Sequence, residues 1–351
     1  MKKFLSVLMA VAMTLSLAAC GSSNEPAKSS GSAPAASSAS SGPAYPKITI
    51  NISTSGADTG IDTQAANRFA ENVSQASGGQ ITAKVYPQAQ LANGDQSKVV
   101  EMLAAGGSFE FAIASGANLS SLSSAFQTHQ LPFLFSTYEE AEAAFDGAGG
   151  AAYNEILNSK GLTFMGALHN GLRHWTNNTR PIVTPEDVKG LKMRIPSGEV
   201  GMAVFKALGA DPVTINFSEL YTALQMGTAD GQENGYQTAG AANLYEVQKY
   251  VTECAWQYDA WFVIANQATW ESYDDATRQL LEETWKEAIQ WARDAISEQD
   301  QEYKQIFIEK GCEITELTDE QLQAFKDAVY DVKMSFVDKY GEDICKAFGV
   351  I

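Results

Sequence analysis

Residues 47–86 read KITINISTSGADTGIDTQAANRFAENVSQASGGQITAKVY. Alternating apolar residues predict a first strand at Lys47–Ser53, because successive side chains of a strand point to opposite faces. From Thr63 to Ser77 apolar residues recur every three or four positions, which predicts a helix that ends at Gly78-Gly79. The alternation returns at Gln80–Tyr86 and predicts a second strand. Strand, helix and strand in this order are typical of a parallel sheet.

The same order continues to residue 114. A second helix is predicted at Ser97–Ala105 and a third strand at Phe109–Ala114. Ligands of such sheets bind beyond the carboxyl ends of the strands. Ser115, which directly follows the third strand, is therefore a candidate ligand-binding residue in an α/β fold.

Helix signals also mark the second half of the chain. Asp274–Glu309 contains neither Gly nor Pro, and its apolar residues are spaced mainly by three or four. A continuous helix of that length would span roughly 50 Å, more than one lobe of a protein this size. The alternative is two helices that are broken near Ser297–Asp300. Thr318 is predicted to cap a last helix that runs to about Tyr340, and Ser136–Glu139 has the form of another helix start.

The N-terminus has the pattern of an exported protein. Residues 1–20 read MKKFLSVLMAVAMTLSLAAC, with two lysines before an apolar segment that is short for a membrane span. Leu17–Cys20 resembles the lipobox of bacterial lipoproteins, which implies lipid attachment at Cys20. The alternative is an ordinary secretory signal. Residues 21–46 are mostly Ser, Ala, Gly and Pro, and they are predicted to form a disordered tether or a simple spacer.

Composition disfavours several function classes. The formal net charge of −18 repels nucleic acid and anionic lipid. The three histidines and four cysteines show no metal-ligand spacing, and the sequence contains no G-x-S-x-G motif. We therefore predict no metal, no cofactor, no nucleic-acid partner and no enzymatic activity. Cys254 is expected to be a buried thiol, and a Cys312–Cys345 disulfide is left open.

Two arginines are candidates for anion binding. A guanidinium matches a carboxylate with two parallel hydrogen bonds. Arg194 lies in a predicted strand, Leu191–Pro196, on which Met193 and Ile195 share the opposite face. The pattern alone leaves open whether Arg194 is a surface residue or a ligand-binding residue.

Three segments resemble the TRAP-transporter solute-binding proteins of the DctP family: GLRHWTN at 171–177, GLKMRIP at 190–196 and DGQEN at 230–234. The resemblance implies a two-lobe periplasmic-binding-protein-like α/β fold in which the long helix spans both lobes. It also implies that an arginine binds the ligand carboxylate, that a second arginine and an asparagine assist it, and that an aromatic residue lines the pocket. Ser115 is added because it follows a predicted strand, and Trp256 because it lies at a position where many relatives have His. The candidate ligand-binding residues are therefore Arg194, Arg173, Asn234, Phe217, Trp256 and Ser115.

This chain departs from the family pattern at two positions. Gly235 stands where the family usually has Pro, and Trp256 stands where many relatives have His. Glycine relaxes the backbone beside Asn234. Tryptophan makes its side of the site more apolar, which implies a larger or less polar ligand tail.

The resemblance also implies a function, while the strand–helix order and the long helix predict the organisation and the lipobox predicts the anchor. Lobe one is predicted to comprise residues 47–170 and 259–298, and lobe two residues 171–258 and 299–351. The protein is expected to be lipid-anchored on the extracytoplasmic side, to capture a small carboxylate and to deliver it to TRAP permease subunits in the membrane. The alternative is an ABC-type solute-binding lipoprotein for a sugar or a peptide.

Overall fold

The computed structural model describes residues 44–106 and 108–351. The predicted signal segment, Cys20 and almost all of the tether lie outside the described residues. Within these ranges nine strands form one mixed sheet, and no helix is both long and apolar enough to cross a membrane. The strands are β1 Ile48–Thr54, β2 Ile81–Tyr86, β3 Phe111–Ser115, β4 Leu162–Asn177, β5 Lys192–Ile195, β6 Asp211–Thr214, β7 Gly231–Asn234, β8 Tyr250–Asn266 and β9 Glu313–Glu316.

Helices cover the sheet on both faces. They are α1 Ile61–Ala76, α2 Gln96–Ala104, α3 Gly116–Leu119, α4 Tyr138–Asp146, α5 Ala148–Asn158, α6 Glu199–Ala207, α7 Phe217–Gln225, α8 Tyr236–Ala241, α9 Gln267–Ser272, α10 Asp275–Glu309, α11 Asp319–Tyr340 and α12 Glu342–Ala347. Short 3-10 helices include Ser124–Gln130 and Pro185–Val188.

The first three strands form the parallel unit that the sequence predicts. β1 pairs in parallel with β2 on one side and with β3 on the other. The apolar stripe of α1 is buried, and Phe69 stacks on Trp285 of α10 with ring centroids 4.0 Å apart. Burial of such aromatic pairs fixes α1 and α10 on the same face of the sheet.

Two long antiparallel strands, β4 and β8, connect the two ends of the sheet. β3 pairs with Trp261–Ala265 of β8, whereas β7 pairs with His174–Asn177 of β4. The pairing between β4 and β8 shifts register at three places, one of them between His169 and Gly171. Bulges of this kind bend a strand and increase its twist. The sheet order is β2-β1-β3-β8-β4-β7-β5-β6, with β9 beside β8.

The predicted long helix is confirmed as one continuous element. α10 runs from Asp275 to Glu309, and Asp274 caps it by accepting a hydrogen bond from the Thr277 N–H. It packs against α1, β4 and α8. The alternative break near Ser297–Asp300 does not occur. At this point of the helix, Asp300 accepts hydrogen bonds from Tyr138 Oη at 2.7 Å and from the Gln237 N–H at 2.7 Å.

Two local expectations need correction. The helix start at Ser136–Glu139 begins one residue later than its pattern suggests, since Thr137 is the cap and accepts from the Glu140 N–H. The chain also forms α12 after the last predicted helix.

Among the described residues, all three cysteines are buried free thiols, so the Cys312–Cys345 disulfide is not formed. Burial raises the pKa of the Cys254 thiol to about 12.

Asp300 gives a pH-dependent prediction. Burial raises the pKa of its carboxyl to about 6, although the bonds from Tyr138 and Gln237 oppose the shift. An unfolded aspartate has a pKa of about 3.9, so the stabilising contribution of this site is complete below that pH and is lost as pH rises through about 6. Asp300→Asn removes this titration. The free energy of unfolding of the variant, relative to that of the wild type, should therefore be about 1–2 kcal/mol higher at pH 8 than at pH 4.5. Urea unfolding at both pH values measures it, and an equal difference at both would contradict the raised pKa.

Candidate ligand-binding cleft

Arg194 is a buried cation that has no carboxylate partner within residues 44–106 and 108–351. It lies on β5 between the parallel strands β6 and β7, and its side chain is 1% exposed. Its Nε donates to the Ile215 carbonyl oxygen at 2.9 Å. Within the described residues its two terminal nitrogens make no hydrogen bond, and it forms no salt bridge. The two terminal nitrogens are therefore available to donate two parallel hydrogen bonds to a carboxylate.

The pKa of Arg194 reflects its burial and its lack of a carboxylate partner within the described residues. Burial lowers the pKa of the Arg194 guanidinium to about 10; nearby Glu233 opposes the shift and Arg173 adds to it. A buried cation is costly unless it is paired. An anion placed against Arg194 would remove much of that cost.

Arg173, the second predicted arginine, has a different environment. It lies on β4 and is 2% exposed. Its Nε and Nη2 bind both carboxylate oxygens of Glu233, the second at 2.9 Å, and its Nη1 lies 3.4 Å from Asp259 Oδ2. Burial lowers the pKa of Arg173, but Glu233 and Asp259 more than offset that effect and leave the pKa raised. The charge of Arg173 is thus compensated inside the protein.

Arg173 also holds Asn234. Its Nη2 donates to Asn234 Oδ1 at 2.8 Å, and the amide of Asn234 donates to Gln232 Oε1. Gly235 has φ −67° and ψ 161°, which a proline could also adopt. A Cβ at Gly235 would lie 3.2 Å from the Asn170 carbonyl oxygen. The close packing, rather than the backbone conformation, therefore limits which residue fits at this position.

The remaining predicted residues are buried. Phe217 begins α7 and packs in an apolar cluster with Leu220. Trp256 packs on Phe205, with ring centroids 5.5 Å apart, and its indole N–H has no hydrogen-bond partner within the described residues. Ser115 caps the short helix α3 and hydrogen-bonds Asn118.

The structure adds four residues to this region: Glu233, Asp259, Ser197 and Gln127. Asp259 accepts hydrogen bonds from Gln130 and Asn170 in addition to its contact with Arg173. Glu233 directly precedes Asn234 in the quoted DGQEN segment, which was the only signal for it. Ser197 and Gln127 make contacts between distant parts of the chain, for which no local pattern exists.

The chain is closed over this region. Ala117, Gln127 and Gln130 on one side face residues 195–198 and Gly201 on the other, with Glu233, Trp256 and Gln257 beside them. The space that these residues line is about 10 Å³. That volume is about the size needed for one water molecule. The space is therefore too small for a ligand of organic-acid size.

Comparison with known proteins agrees with this arrangement. The family described as bacterial extracellular solute-binding protein, family 7 (DctP), matches residues 52–339. The chain belongs to this family. It is 30% identical to the 2,3-diketo-L-gulonate-binding periplasmic protein of Escherichia coli over 81% of this chain and 86% of that protein.

Solved structures of relatives show the same fold. The sugar acid binding protein of Advenella mimigardefordensis in complex with galactonate has a TM-score of 0.83 at 27% identity, and the match covers 87% of this chain and 97% of that one. A TRAP periplasmic solute-binding protein of Sulfurospirillum deleyianum with bound succinate has a TM-score of 0.81 at 28% identity, covering 87% and 99%. The predicted two-lobe α/β fold is thereby confirmed. This family consists of solute-binding receptors.

Proposed function

We propose that this protein is the extracytoplasmic receptor of a TRAP transporter. It captures a small organic acid, hands it to the membrane permease and catalyses no reaction. The observation that carries the proposal is Arg194, a buried guanidinium whose terminal nitrogens have no partner among the described residues. A ligand carboxylate supplies both the opposite charge and the two acceptors that this group lacks.

The alternative ligand classes are less well supported by this site. A neutral sugar bound by an ABC-type receptor would leave the buried charge of Arg194 uncompensated, which is unfavourable in a closed cleft. The net charge of −18 also means that an anion enters against the overall field. A local, uncompensated cation is what makes anion capture possible under that field.

The names of the relatives narrow the ligand class. They bind 2,3-diketo-L-gulonate, galactonate and succinate. Each of these ligands carries at least one carboxylate and further oxygen atoms. We therefore expect Arg194 to bind a carboxylate of a sugar acid or a dicarboxylate, with Asn234 donating to or accepting from a second oxygen.

The lobe division at residues 170/171 and 258/259 belongs to the same proposal. The register shift between His169 and Gly171 lies opposite Ala260 and Asp259, at that division. Strands β1–β3 pair on one side of it and β5–β7 on the other. Bending at this point would open the space between Gln127 and Ser197 to a ligand.

A thermal-shift screen tests the function. Succinate, D-galactonate and D-erythronate are compared with neutral D-galactose, which matches galactonate in size but lacks the carboxylate. A ligand at 100 times its Kd stabilises the folded state by about 2.7 kcal/mol, enough to raise Tm by several degrees. We expect an acid to raise Tm and galactose to leave it unchanged. Stabilisation by galactose and by none of the acids would contradict the proposal.

Anchoring at Cys20 is a separate part of the proposal, and it depends on the Leu17–Cys20 segment. Cys20→Ser removes the thiol to which lipid would be attached. We expect the wild-type protein in the membrane fraction of the expressing cell and the variant in the soluble fraction or retained as a precursor. Cys254→Ser serves as a control, since Cys254 is a buried thiol that should not affect fractionation. A wild-type protein with an unmodified, soluble N-terminus would contradict the anchor.

A further inference from the structure

Helix α6, which follows the Arg194 strand, obtains its N-terminal cap from a distant part of the chain. Its own N-cap residue is Gly198, which offers no side chain. Instead Gln127 Oε1 accepts hydrogen bonds from the N–H groups of Glu199 at 2.9 Å and Val200 at 3.3 Å. The first N–H groups of a helix have no partner within the helix, so this carboxamide satisfies two of them.

Gly198 makes room for that contact. Its φ is +126°, in the region that favours glycine, and a Cβ there would lie 2.4 Å from Gln127 Oε1. Any other residue at this position would displace the carboxamide as well as strain the backbone. The Gln127 Nε2 group has no partner within the described residues, so the acceptor oxygen carries the interaction.

The adjacent Ser197 is held from the same side. Its Oγ donates to the Ala117 carbonyl oxygen at 3.0 Å and lies 3.1 Å from Ser97 Oγ and 3.3 Å from Asn118 Nδ2. With the proposed lobe boundaries, every one of these partners belongs to lobe one, whereas residues 197–200 belong to lobe two. The contact therefore exists only while the lobes are closed.

We propose that Gln127 is a positioning residue for ligand capture, one that caps α6 across the cleft when the lobes close. The proposal rests on the receptor function proposed above. Arg194 lies three residues before Ser197 on the same segment, so closure that brings Arg194 over the ligand also brings Glu199 and Val200 to Gln127. Opening breaks the cap, and the cap therefore slows release of the bound acid without touching it.

The first test is Gln127→Met, which keeps the length of the side chain and removes the acceptor. We use stopped-flow fluorescence with succinate and with D-galactonate, and we follow the acid that stabilises the wild type more. Loss of a helix cap should accelerate dissociation about five- to tenfold and leave the association rate unchanged. Thr318→Ala is the matched control, because Thr318 caps α11 by accepting from the Gln321 N–H within its own helix. It should lower Tm and leave the dissociation rate at the wild-type value.

A second variant approaches the same contact from the other side. Proline is favoured at the first position of a helix, so Glu199→Pro should keep α6. The substitution removes the N–H of residue 199, which donates a hydrogen bond to Gln127 Oε1 in the wild type. Because Glu199 also pairs with Lys339, Glu199→Ala is the control that loses only the carboxylate. We expect faster dissociation in Glu199→Pro than in Glu199→Ala.

The outcomes separate the two proposals. Wild-type dissociation rates in both Gln127→Met and Glu199→Pro, with binding still dependent on Arg194, would overturn the cross-cleft cap and leave the receptor function intact. A wild type that is stabilised by galactose and by none of the acids in the screen would overturn the receptor function, and the cap with it. Faster dissociation in both variants, at an unchanged association rate, supports the cap.

Discussion

Arg194→Ala is expected to weaken organic-acid binding by at least about a hundredfold, since each tenfold change in affinity corresponds to about 1.4 kcal/mol. Charge-assisted hydrogen bonds contribute about 1.5–3 kcal/mol each, and the variant loses the fork that makes them. The variant should remain folded, because Arg194 forms no salt bridge that its removal would break within the described residues. Isothermal titration with succinate and with D-galactonate measures the loss.

Arg194→Lys is the informative companion. It keeps the charge and loses the planar pair of donors, so it should recover only part of the affinity. Equal affinity of Arg194→Ala and the wild type would mean that another group holds the carboxylate.

Arg173→Met is expected to act mainly on stability and to lower the free energy of unfolding by about 3–5 kcal/mol. The substitution leaves Glu233 and Asp259 buried without their cation, and both are almost completely inaccessible to solvent. Urea unfolding of the ligand-free protein measures the effect.

Arg293→Met is the matched control for that experiment. Arg293 is also buried and binds both oxygens of a carboxylate, but its partner Asp146 has a side chain that is 61% exposed. Water can solvate Asp146 after the substitution, so the loss should be clearly smaller. Equal losses in the two variants would contradict the role of burial at Arg173.

The sequence was most informative where structure is local. Thr318 caps α11 as predicted, because a cap depends on residues within one turn. The parallel β1–β3 unit also follows from short-range patterns. By contrast, β4 and β8 were not predicted as long strands. Gly166 and Gly171 interrupt the alternation of β4 at two of its register shifts, and nearly all residues of β8 are buried, so its sequence does not alternate.

The sequence indicated candidate site residues, but it did not predict their environments. Alternation alone left open whether Arg194 is a surface residue. In the structure, β5 has strands on both sides and the side chain of Arg194 is buried. The same reasoning could not separate Arg194 from Arg173, because the carboxylates that compensate Arg173 come from 60 and 86 positions along the chain. Contacts at such separations leave no trace in local periodicity. The roles proposed for Arg194, Arg173, Asn234, Phe217, Trp256 and Ser115 as ligand residues remain predictions.

The ion pair between Arg173 and Asp259 limits how specificity could be exchanged between relatives. Residues 171–258 form one uninterrupted block that contains Arg173, Arg194 and Asn234, so a recombination event could transfer these residues in a single gene segment. Asp259 and its partner Asn170 lie just outside that block, and a further partner, Gln130, lies well before it in the chain. A chimera cut at these borders would combine a transplanted arginine with a host carboxylate, and it would fold well only when the host supplies the matching acid. Asp259 should therefore travel with the block in any engineered transfer of ligand preference.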